Sequence, residues 1–176
     1  DLIMLLAMII ILVYIVMASQ FESFMSPFVI MFSIPFAFVG VFMGLWVTGT
    51  PLGTMGMIGI LILMGIVVKN GIVLIDYTIL MRERGHSVTE ASTIAANSRL
   101  RPILMTTLTT VLGMIPMAVG QGEGSEMWRS LGMVVAWGLS ISTLVTLVII
   151  PTLYAAMASW QERRAARKAA RKAAKA

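Results

Sequence analysis

Long apolar runs are the feature that most constrains this sequence, and the first of them extends from Leu2 to Ala18. Its 17 residues would reach about 26 Å as an α-helix, close to the ~30 Å hydrocarbon core of a bilayer. Only 12% of the residues are charged, whereas soluble domains average roughly 25%. A water-soluble fold could not bury so much apolar surface. We therefore predict an all-α, polytopic bundle of membrane-spanning helices.

Short polar or Gly/Pro-rich segments divide the apolar sequence into five predicted spans. They cover residues 2–18, 28–47, 52–80, 103–119 and 131–157. Together they define a transmembrane half-domain over residues 1–158, which is followed by a basic tail over residues 159–176. The sequence starts at Asp1 and enters an apolar run at once, so we expect it to be a segment of a longer protein.

Five of the six prolines indicate where these helices begin or bend. Pro27, Pro51 and Pro102 stand at predicted span starts, where the first amide groups of a helix have no intrahelical acceptor anyway. Pro35 and Pro116 fall inside predicted spans. We expect kinks at these two positions, because a proline frees a carbonyl that neighbouring groups must satisfy.

A polar segment separates the third predicted span from the fourth. Within it, Ser87-Val88-Thr89-Glu90 matches a capping box, in which the serine and the glutamate satisfy each other's backbone amides at a helix start. The residues that follow favour helix but are too polar to cross a membrane. We therefore predict one short cytoplasmic interfacial helix over about residues 87–98.

Basic residues collect on one side of the predicted bundle. That side carries Arg82, Arg84, Arg99, Arg101 and the tail cations Arg163, Arg164, Arg167, Lys168, Arg171, Lys172 and Lys175. The opposite side carries Arg129 with the acidic residues Asp1, Glu123 and Glu126. By the positive-inside rule the basic side is cytoplasmic, which places the N-terminus in the periplasm and the C-terminus in the cytoplasm. The tail is either a helix near anionic headgroups or a frayed solubilising segment, and its composition argues against nucleic-acid binding.

Small residues recur at spacings that let membrane helices approach each other closely. The pairs are Gly40 with Gly44, Gly56 with Gly59, and Gly132 with Ala136. We interpret these residues as packing positions rather than as functional ones.

The third predicted span places a lysine and an asparagine, Lys69 and Asn70, inside an apolar helix. An ammonium group near the bilayer centre costs about 2.5 to 3.5 kcal/mol on insertion scales, so Lys69 needs a partner. Asp76 is two turns further along the helix, about 10 Å away by helical rise, which is far for a direct ion pair. Lys69 therefore either pairs with a carboxylate on another helix or extends to the cytoplasmic interface.

A carboxylate partner would make Lys69 respond to protons. Burial disfavours the charged ammonium and a nearby carboxylate favours it, so a carboxylate that gains or loses a proton changes the state of the pair. Asp76 lies nearer the end of the span, where we expect a solvated carboxylate with at most a supporting role.

The fourth predicted span begins with several threonines. Thr106 and Thr110, together with Gly113, fall on one helical face, where their hydroxyls could bind a buried charge or hold water. An equally good interpretation is that each hydroxyl bonds back to a carbonyl of the preceding turn.

Three segments of the sequence resemble the hydrophobe/amphiphile efflux branch of the resistance-nodulation-division transporter family. They are residues 65–77 (GIVVKNGIVLIDY), 99–107 (RLRPILMTT) and 120–126 (GQGEGSE). The resemblance covers the chain from residue 2 to about residue 157, with the motifs in the family's order. It implies that the five spans correspond to the eighth to twelfth helices of the family, with the interfacial helix between the tenth and the eleventh.

The resemblance also implies a function. Members exchange protons for the outward movement of drugs, dyes or detergents, and they are typically trimers in the inner membrane of Gram-negative bacteria. By matching positions, the lysine of the family's proton relay is Lys69, the neighbouring asparagine is Asn70, the threonine is Thr106 and the arginine is Arg99. The coupling ion is the proton, and no cofactor is implied.

The two aspartates that complete this relay lie on the family's fourth helix and have no counterpart in the sequence. The porter domains that bind the exported compound have none either. We therefore expect the chain to be inactive alone. Its implied partners are the lipid bilayer and the N-terminal half of the transporter, within a homotrimer.

Two other interpretations stay open. The 16 methionines could bind a soft metal ion in a heavy-metal exporter, although they are scattered through all five spans without a clear stripe. A non-transporting membrane fragment or scaffold module would account for the missing aspartates. We do not expect an enzyme, because the one histidine, His86, lies in a polar loop and the sequence has no cysteine.

Overall fold

The computed structural model describes residues 2–173, so Asp1 and Lys175, two of the charges that define the predicted sidedness, lie outside the described residues. The helices are α1 (Leu2–Phe21), α2 (Met25–Met31), α3 (Ile34–Thr48), α4 (Thr54–Glu83), α5 (Val88–Val119) and α6 (Ser125–Ala173). No strand occurs in the described part of the chain. Five helical segments are long and apolar enough to cross a membrane. This confirms the predicted all-α membrane bundle.

The second span is a broken helix. α2 ends at Met31, and α3 begins just before Pro35. Because proline has no amide hydrogen, the Met31 carbonyl could not receive its usual helical bond, and the helix is interrupted there. The Ser33 hydroxyl donates to the Ile30 carbonyl at 2.6 Å, which provides a polar partner within the break. The helix is thus interrupted just before Pro35, the position at which the sequence predicts a kink.

The predicted interfacial helix and the fourth span form one continuous helix, α5, which corrects the boundary predicted at Pro102. The helix begins as predicted, because the Ser87 and Glu90 side chains each accept a hydrogen bond from the other residue's amide, both at 3.3 Å. Pro102 and Pro116 both lie inside α5. Each proline removes a single amide donor, and the flanking peptide groups stay paired because unpaired groups are costly in lipid. Residues 87–98 are therefore the capped start of α5 rather than a separate element.

α6 is the central helix of the bundle and packs against α3, α4 and α5. A Cβ atom added to Gly40 would lie 2.9 Å from the Ile141 Cβ, and the Trp137 side chain fills the space where Gly44 would carry one. Added Cβ atoms at Gly56 and Gly132 would also be too close to neighbouring atoms, and one at Gly59 would lie 3.2 Å from the Val134 side chain. The five predicted glycine positions are thus confirmed as sites of close helix approach.

Buried hydroxyls add polar links between elements. The Thr107 and Thr143 hydroxyls bond to each other at 3.1 Å and join α5 to α6. The Ser130 hydroxyl on α6 donates to the Pro51 carbonyl at 3.1 Å and accepts from the Gly53 amide at 3.3 Å. The second pair of bonds ties α6 to the loop that precedes α4.

α1 is the most peripheral helix. In its apolar window 6% of the residues are buried, compared with 56% in α4. Met17 is the only buried residue among residues 3–21, and the main helix contact of α1 is with α2. A groove of about 450 Å³, apolar except for Lys69 in its lining, separates α1 from α4. α1 therefore stabilises the bundle less than the other spans do.

α6 continues beyond the fifth span as a helix to Ala173, and every side chain over residues 161–171 is exposed. Just after the fifth span, the Arg82 guanidinium donates to the Glu162 carboxylate at 2.6 Å, which links the end of α4 to α6. The described part of the tail is thus a helix, which is one of the two states expected from the sequence.

Candidate functional site

Lys69 lies in the middle of α4, fifteen residues after Thr54 and fourteen before Glu83. By helical rise each end of the helix is about 21 Å away. That distance is too long for a four-carbon side chain to reach the headgroups from a bilayer centred on α4. The Lys69 side chain is exposed at the surface of the bundle, whereas the neighbouring Asn70 is only 8% exposed. The geometry therefore favours an ammonium at the depth of the hydrocarbon core.

A groove between α4 and α5 brings together four of the predicted site residues. Its volume is about 590 Å³, and one side is open to the surface of the bundle. Apolar side chains of both helices form most of its lining. Its polar lining comes from Lys69, Asn70, Thr106, Thr109 and Thr110. We call this space the Lys69 groove.

The groove threonines use their hydrogens within α5. The Thr106 hydroxyl lies 2.9 Å from the Ile103 carbonyl and 3.2 Å from the Pro102 carbonyl, and the Thr110 hydroxyl donates to the Thr106 carbonyl at 2.8 Å. The interpretation that these hydroxyls bond to the preceding turn is thus confirmed. A hydroxyl that donates backward still has lone pairs, so both threonines can accept a hydrogen bond from an ammonium in the groove.

Arg99 lies outside the Lys69 groove. Its guanidinium carbon is 4.6 Å from the centre of the Tyr77 ring, an arrangement that allows a cation–π interaction. The Arg99 Nε atom is buried without a hydrogen-bond partner among the described residues. Tyr77 follows Lys69 by about 12 Å of helical rise. The structure therefore places Arg99 apart from the lysine with which the family resemblance groups it.

Asp76 is exposed and also lies outside the Lys69 groove. Among the described side chains, those of residues 3–171, the ion pairs are Arg82 with Glu162 and, at 3.9 Å, His86 with Glu90. Neither pair includes Lys69 or Asp76, which agrees with the two-turn separation noted in the sequence. A carboxylate partner for Lys69 would therefore have to come from outside the described chain.

Sequence reasoning did not identify Tyr77 or Thr109 as neighbours of the site. Thr109 follows Thr106 by three residues, so the helical period could have placed both on one face. Tyr77 could have been found from the register of the two helices. Lys69 of α4 and Thr106 of α5 line the same groove, and Tyr77 of α4 contacts Arg99 of α5. Tyr77 comes eight residues after Lys69, and Arg99 comes seven residues before Thr106. That spacing is expected for antiparallel neighbours.

Comparison with known proteins identifies the family. Residues 1–158 match the profile of the AcrB/AcrD/AcrF family. Similar proteins include the swarming motility protein SwrC of Bacillus subtilis, 43% identical over 154 residues. The cobalt-zinc-cadmium resistance protein CzcA of Cupriavidus metallidurans and the multidrug resistance protein MdtC of Erwinia tasmaniensis are 36% and 38% identical over 143 residues. These alignments cover 81–87% of this chain but only 14–15% of the relatives.

Solved structures agree with the sequence comparison. Crystal form II of a heavy metal efflux pump matches 89% of this chain and 16% of its own, with a TM-score of 0.80 and 31% identity. Crystal form I matches 85% of this chain and 14% of its own, with a TM-score of 0.70 and 33% identity. The fold and the sequence thus lead to the same conclusion, that the chain belongs to the AcrB/AcrD/AcrF family of resistance-nodulation-division transporters.

Proposed function

We propose that this chain is the part of a proton-driven multidrug efflux transporter that supplies the lysine side of the proton relay. Lys69, Asn70 and Thr106 are the proposed relay residues, Thr110 supports them, and Arg99 joins them on the family resemblance alone. The five spans act as the family's eighth to twelfth helices. The proton is the coupling ion and no cofactor takes part. The activity is transport rather than enzymatic catalysis.

The Lys69 groove supports this proposal most strongly. It contains an ammonium at mid-helix depth that no carboxylate of the described chain neutralises. Such a charge costs about 2.5 to 3.5 kcal/mol in a bilayer, which is a substantial penalty for a position without a role. The groove volume of about 590 Å³ would accommodate side chains of a facing helix. Carboxylates from the N-terminal half could therefore reach the ammonium.

The groove also offers the ammonium a second set of acceptors. An ionised carboxylate would pair with Lys69, and protonation of that carboxylate would remove most of the attraction. The ammonium could then turn to the Asn70 amide oxygen and to the hydroxyl lone pairs of Thr106 and Thr110, which line the same groove. Two alternative sets of partners give two arrangements of the helices, and a proton that selects between them can drive transport.

The proposed assembly and location rest on the family resemblance together with the distribution of charged residues. The N-terminal half with its aspartate pair covers the groove, within a homotrimer embedded in the lipid bilayer. Arg82, Arg84 and the cations of the tail favour a cytoplasmic position for that end of the bundle. Glu123 and Glu126 then face the periplasm together with the N-terminus. The membrane is the inner membrane of a Gram-negative bacterium.

Reconstitution of the purified chain into liposomes that contain a pH-sensitive dye tests the proposal. We expect no drug-dependent proton movement from the chain alone, because Lys69 lacks its carboxylate partner. Addition of the parts of the transporter that this chain lacks, namely the N-terminal half, the seventh helix and the porter domains, should produce proton movement driven by a drug gradient. Lys69→Met, which removes the charge and keeps an unbranched side chain, should reduce this movement to background.

Ile62→Met is a suitable control, since Ile62 lies on the same helix and is 46% exposed but does not line the groove. This variant should transport as well as the unchanged chain. Drug-dependent proton movement by the chain alone, lost on Lys69→Met, would show that it needs no outside carboxylate. Full activity of Lys69→Met with the missing parts would show that Lys69 is not a relay residue. No transport by the chain combined with all of the missing parts would favour a non-transporting membrane module.

Heavy-metal export is a second candidate, and the similarity to CzcA and to a heavy metal efflux pump favours it. The same liposomes distinguish the two candidates when the drug is replaced by zinc or cobalt ions and the lumen contains a metal-sensitive dye. Our proposal expects drug-coupled and not metal-coupled proton movement. The opposite result would assign the chain to a metal exporter, with the same role for Lys69.

A further inference from the structure

We propose that the part of α6 beyond Ser159 is a binding surface for the anionic headgroups of phospholipids in the leaflet from which it emerges. We call residues 160–171 the basic extension. Its described cations are Arg163, Arg164, Arg167, Lys168 and Arg171, and all five are exposed. The inference depends on neither the Lys69 groove nor the direction of transport.

The basic extension has two different faces. At 100° per residue, its five cations fall within about 140° of the helix circumference. The other side carries Ala165, Ala166, Ala169, Ala170 and Glu162. Glu162 accepts the bond from Arg82 at 2.6 Å, so the alanine side faces the end of α4. The cationic face therefore points away from the bundle, and the one acidic residue of the basic extension is already paired.

Trp160 marks the level at which α6 leaves the apolar region. The indole is 54% exposed, and the Arg164 guanidinium carbon lies 3.6 Å from the centre of its ring. Tryptophan concentrates at the boundary between acyl chains and headgroups, where one part of the ring is apolar and the other is polar. By helical angle Trp160 belongs to the cationic side. The first cations therefore begin where a headgroup layer would lie.

The continuity of α6 sets the height of each cation above that boundary. A headgroup layer is about 5 to 8 Å thick on each side of the hydrocarbon core. Arg163 and Arg164 lie about 5 to 6 Å beyond Trp160 by helical rise and fall within this layer. Arg167 and Lys168 lie about 11 to 12 Å beyond it, still within a Debye length of about 8 Å from the charged surface. The first two turns of the basic extension therefore lie next to anionic lipid headgroups.

These positions favour lipid over nucleic acid as the ligand of the cationic face. The described residues after Trp160 include no aromatic side chain on which bases could stack. The nearest phosphates are those of the membrane itself. The cationic face meets them without any movement of the bundle.

Fluorescence quenching of Trp160 tests the inference on the full chain. The chain is reconstituted into phosphatidylcholine bilayers that contain a minor fraction of brominated phosphatidylglycerol or of brominated phosphatidylcholine, and the Trp160 signal is the difference from a Trp160→Phe variant. A cation at the surface favours an anionic neighbour by about fivefold at low salt. We expect brominated phosphatidylglycerol to quench Trp160 about fivefold more effectively than the zwitterionic lipid, with a preference that decreases as salt is added.

Two variants give the decisive comparison. Changing the five cations to glutamine should reduce the preference to within about twofold of unity, since glutamine keeps the helix but removes the attraction. Changing Ala165, Ala166, Ala169 and Ala170 to glutamine should leave the preference unchanged. Equal quenching by both lipids, or a preference that survives loss of the cations, would overturn the inference. Relief of the lipid quenching by an equimolar single-stranded oligonucleotide would assign the surface to nucleic acid and would also overturn it.

Discussion

Among the single residues of this bundle, threonines make two kinds of hydrogen bond. Thr107 and Thr143 are buried and bond to each other across the α5–α6 contact at 3.1 Å. Thr109 is exposed and donates to the Met105 carbonyl of its own helix at 2.8 Å. Only the first bond connects two elements, so only there should the loss of a hydroxyl weaken the association of helices.

We expect Thr107→Val to lower the free energy of unfolding by about 1 kcal/mol, because the Thr143 hydroxyl would lose its partner on the facing helix. Thr107→Val combined with Thr143→Val should cost less than the sum of the single changes, with a coupling of about 0.6 kcal/mol. Titration of the chain in bicelles with SDS, followed by tryptophan fluorescence, measures these values. Thr109→Val should change the free energy by less than about 0.5 kcal/mol. An equal effect at Thr107 and Thr109 would contradict the distinction.

Three of the residues that the sequence singles out, Lys69, Asn70 and Thr106, lie in one groove, whereas Arg99 lies outside it. Lys69 and Asn70 stand out because polar groups inside an apolar helix are costly, and Thr106 joins them through the family motif. The position of Arg99 over Tyr77 depends on the register of α4 against α5. Register is set by long-range packing, so no local pattern contained it.

Among the helices, glycines determine which pairs can approach. Gly44 is buried with the Trp137 side chain against it, whereas a Cβ at Gly65 would meet no atom within 4 Å. The two positions have the same residue type and differ only in their surroundings. They therefore separate the packing effect of glycine from its intrinsic effect on a helix.

We expect Gly44→Ala to destabilise the chain by about 1 to 3 kcal/mol, since the added methyl group overlaps Trp137 and pushes α3 from α6. Gly65→Ala should be neutral or slightly stabilising, because alanine favours a helix and this position is open. Unfolding in bicelles and the emission spectrum of Trp137 report both changes. A Gly65→Ala variant as unstable as Gly44→Ala would show that helix packing is not the cause.

The sequence predicted the number of spans correctly because each apolar run is as long as a bilayer is thick. It predicted the start of α5 correctly because the capping box acts within four residues. The boundary at Pro102 was wrong. A proline rule is local, whereas the continuity of α5 depends on the penalty for every unpaired peptide group near lipid.

At the scale of the whole molecule, the bundle consists of a tight core and a loosely attached helix. α6 packs against α3, α4 and α5, while α1 contacts mainly α2 and borders a groove of about 450 Å³. Lipid tails solvate an apolar helix as well as another helix does, so weak packing implies weak attachment. Stability should therefore be concentrated in α3 to α6.

We expect removal of residues 2–21 to lower the free energy of unfolding by less than Gly44→Ala does, because few packed contacts are lost. The comparison needs the truncated and the full chain in the same bicelles. The Trp137 emission spectrum should be the same in both, since this residue reports the α3–α6 contact. A truncated chain that fails to fold would show that α1 is part of the stable core.

The uncovered Lys69 groove also bears on how such a protein is put together. If the N-terminal half supplies a carboxylate there, as we propose, pairing with it would remove the unfavourable free energy of about 2.5 to 3.5 kcal/mol that the ammonium costs in lipid, and would do so when the two halves assemble. The Lys69 side chain would then hold the two halves together during biogenesis and take part in proton transfer afterwards. An unassembled copy would expose a charge to lipid, which distinguishes it physically from the finished transporter.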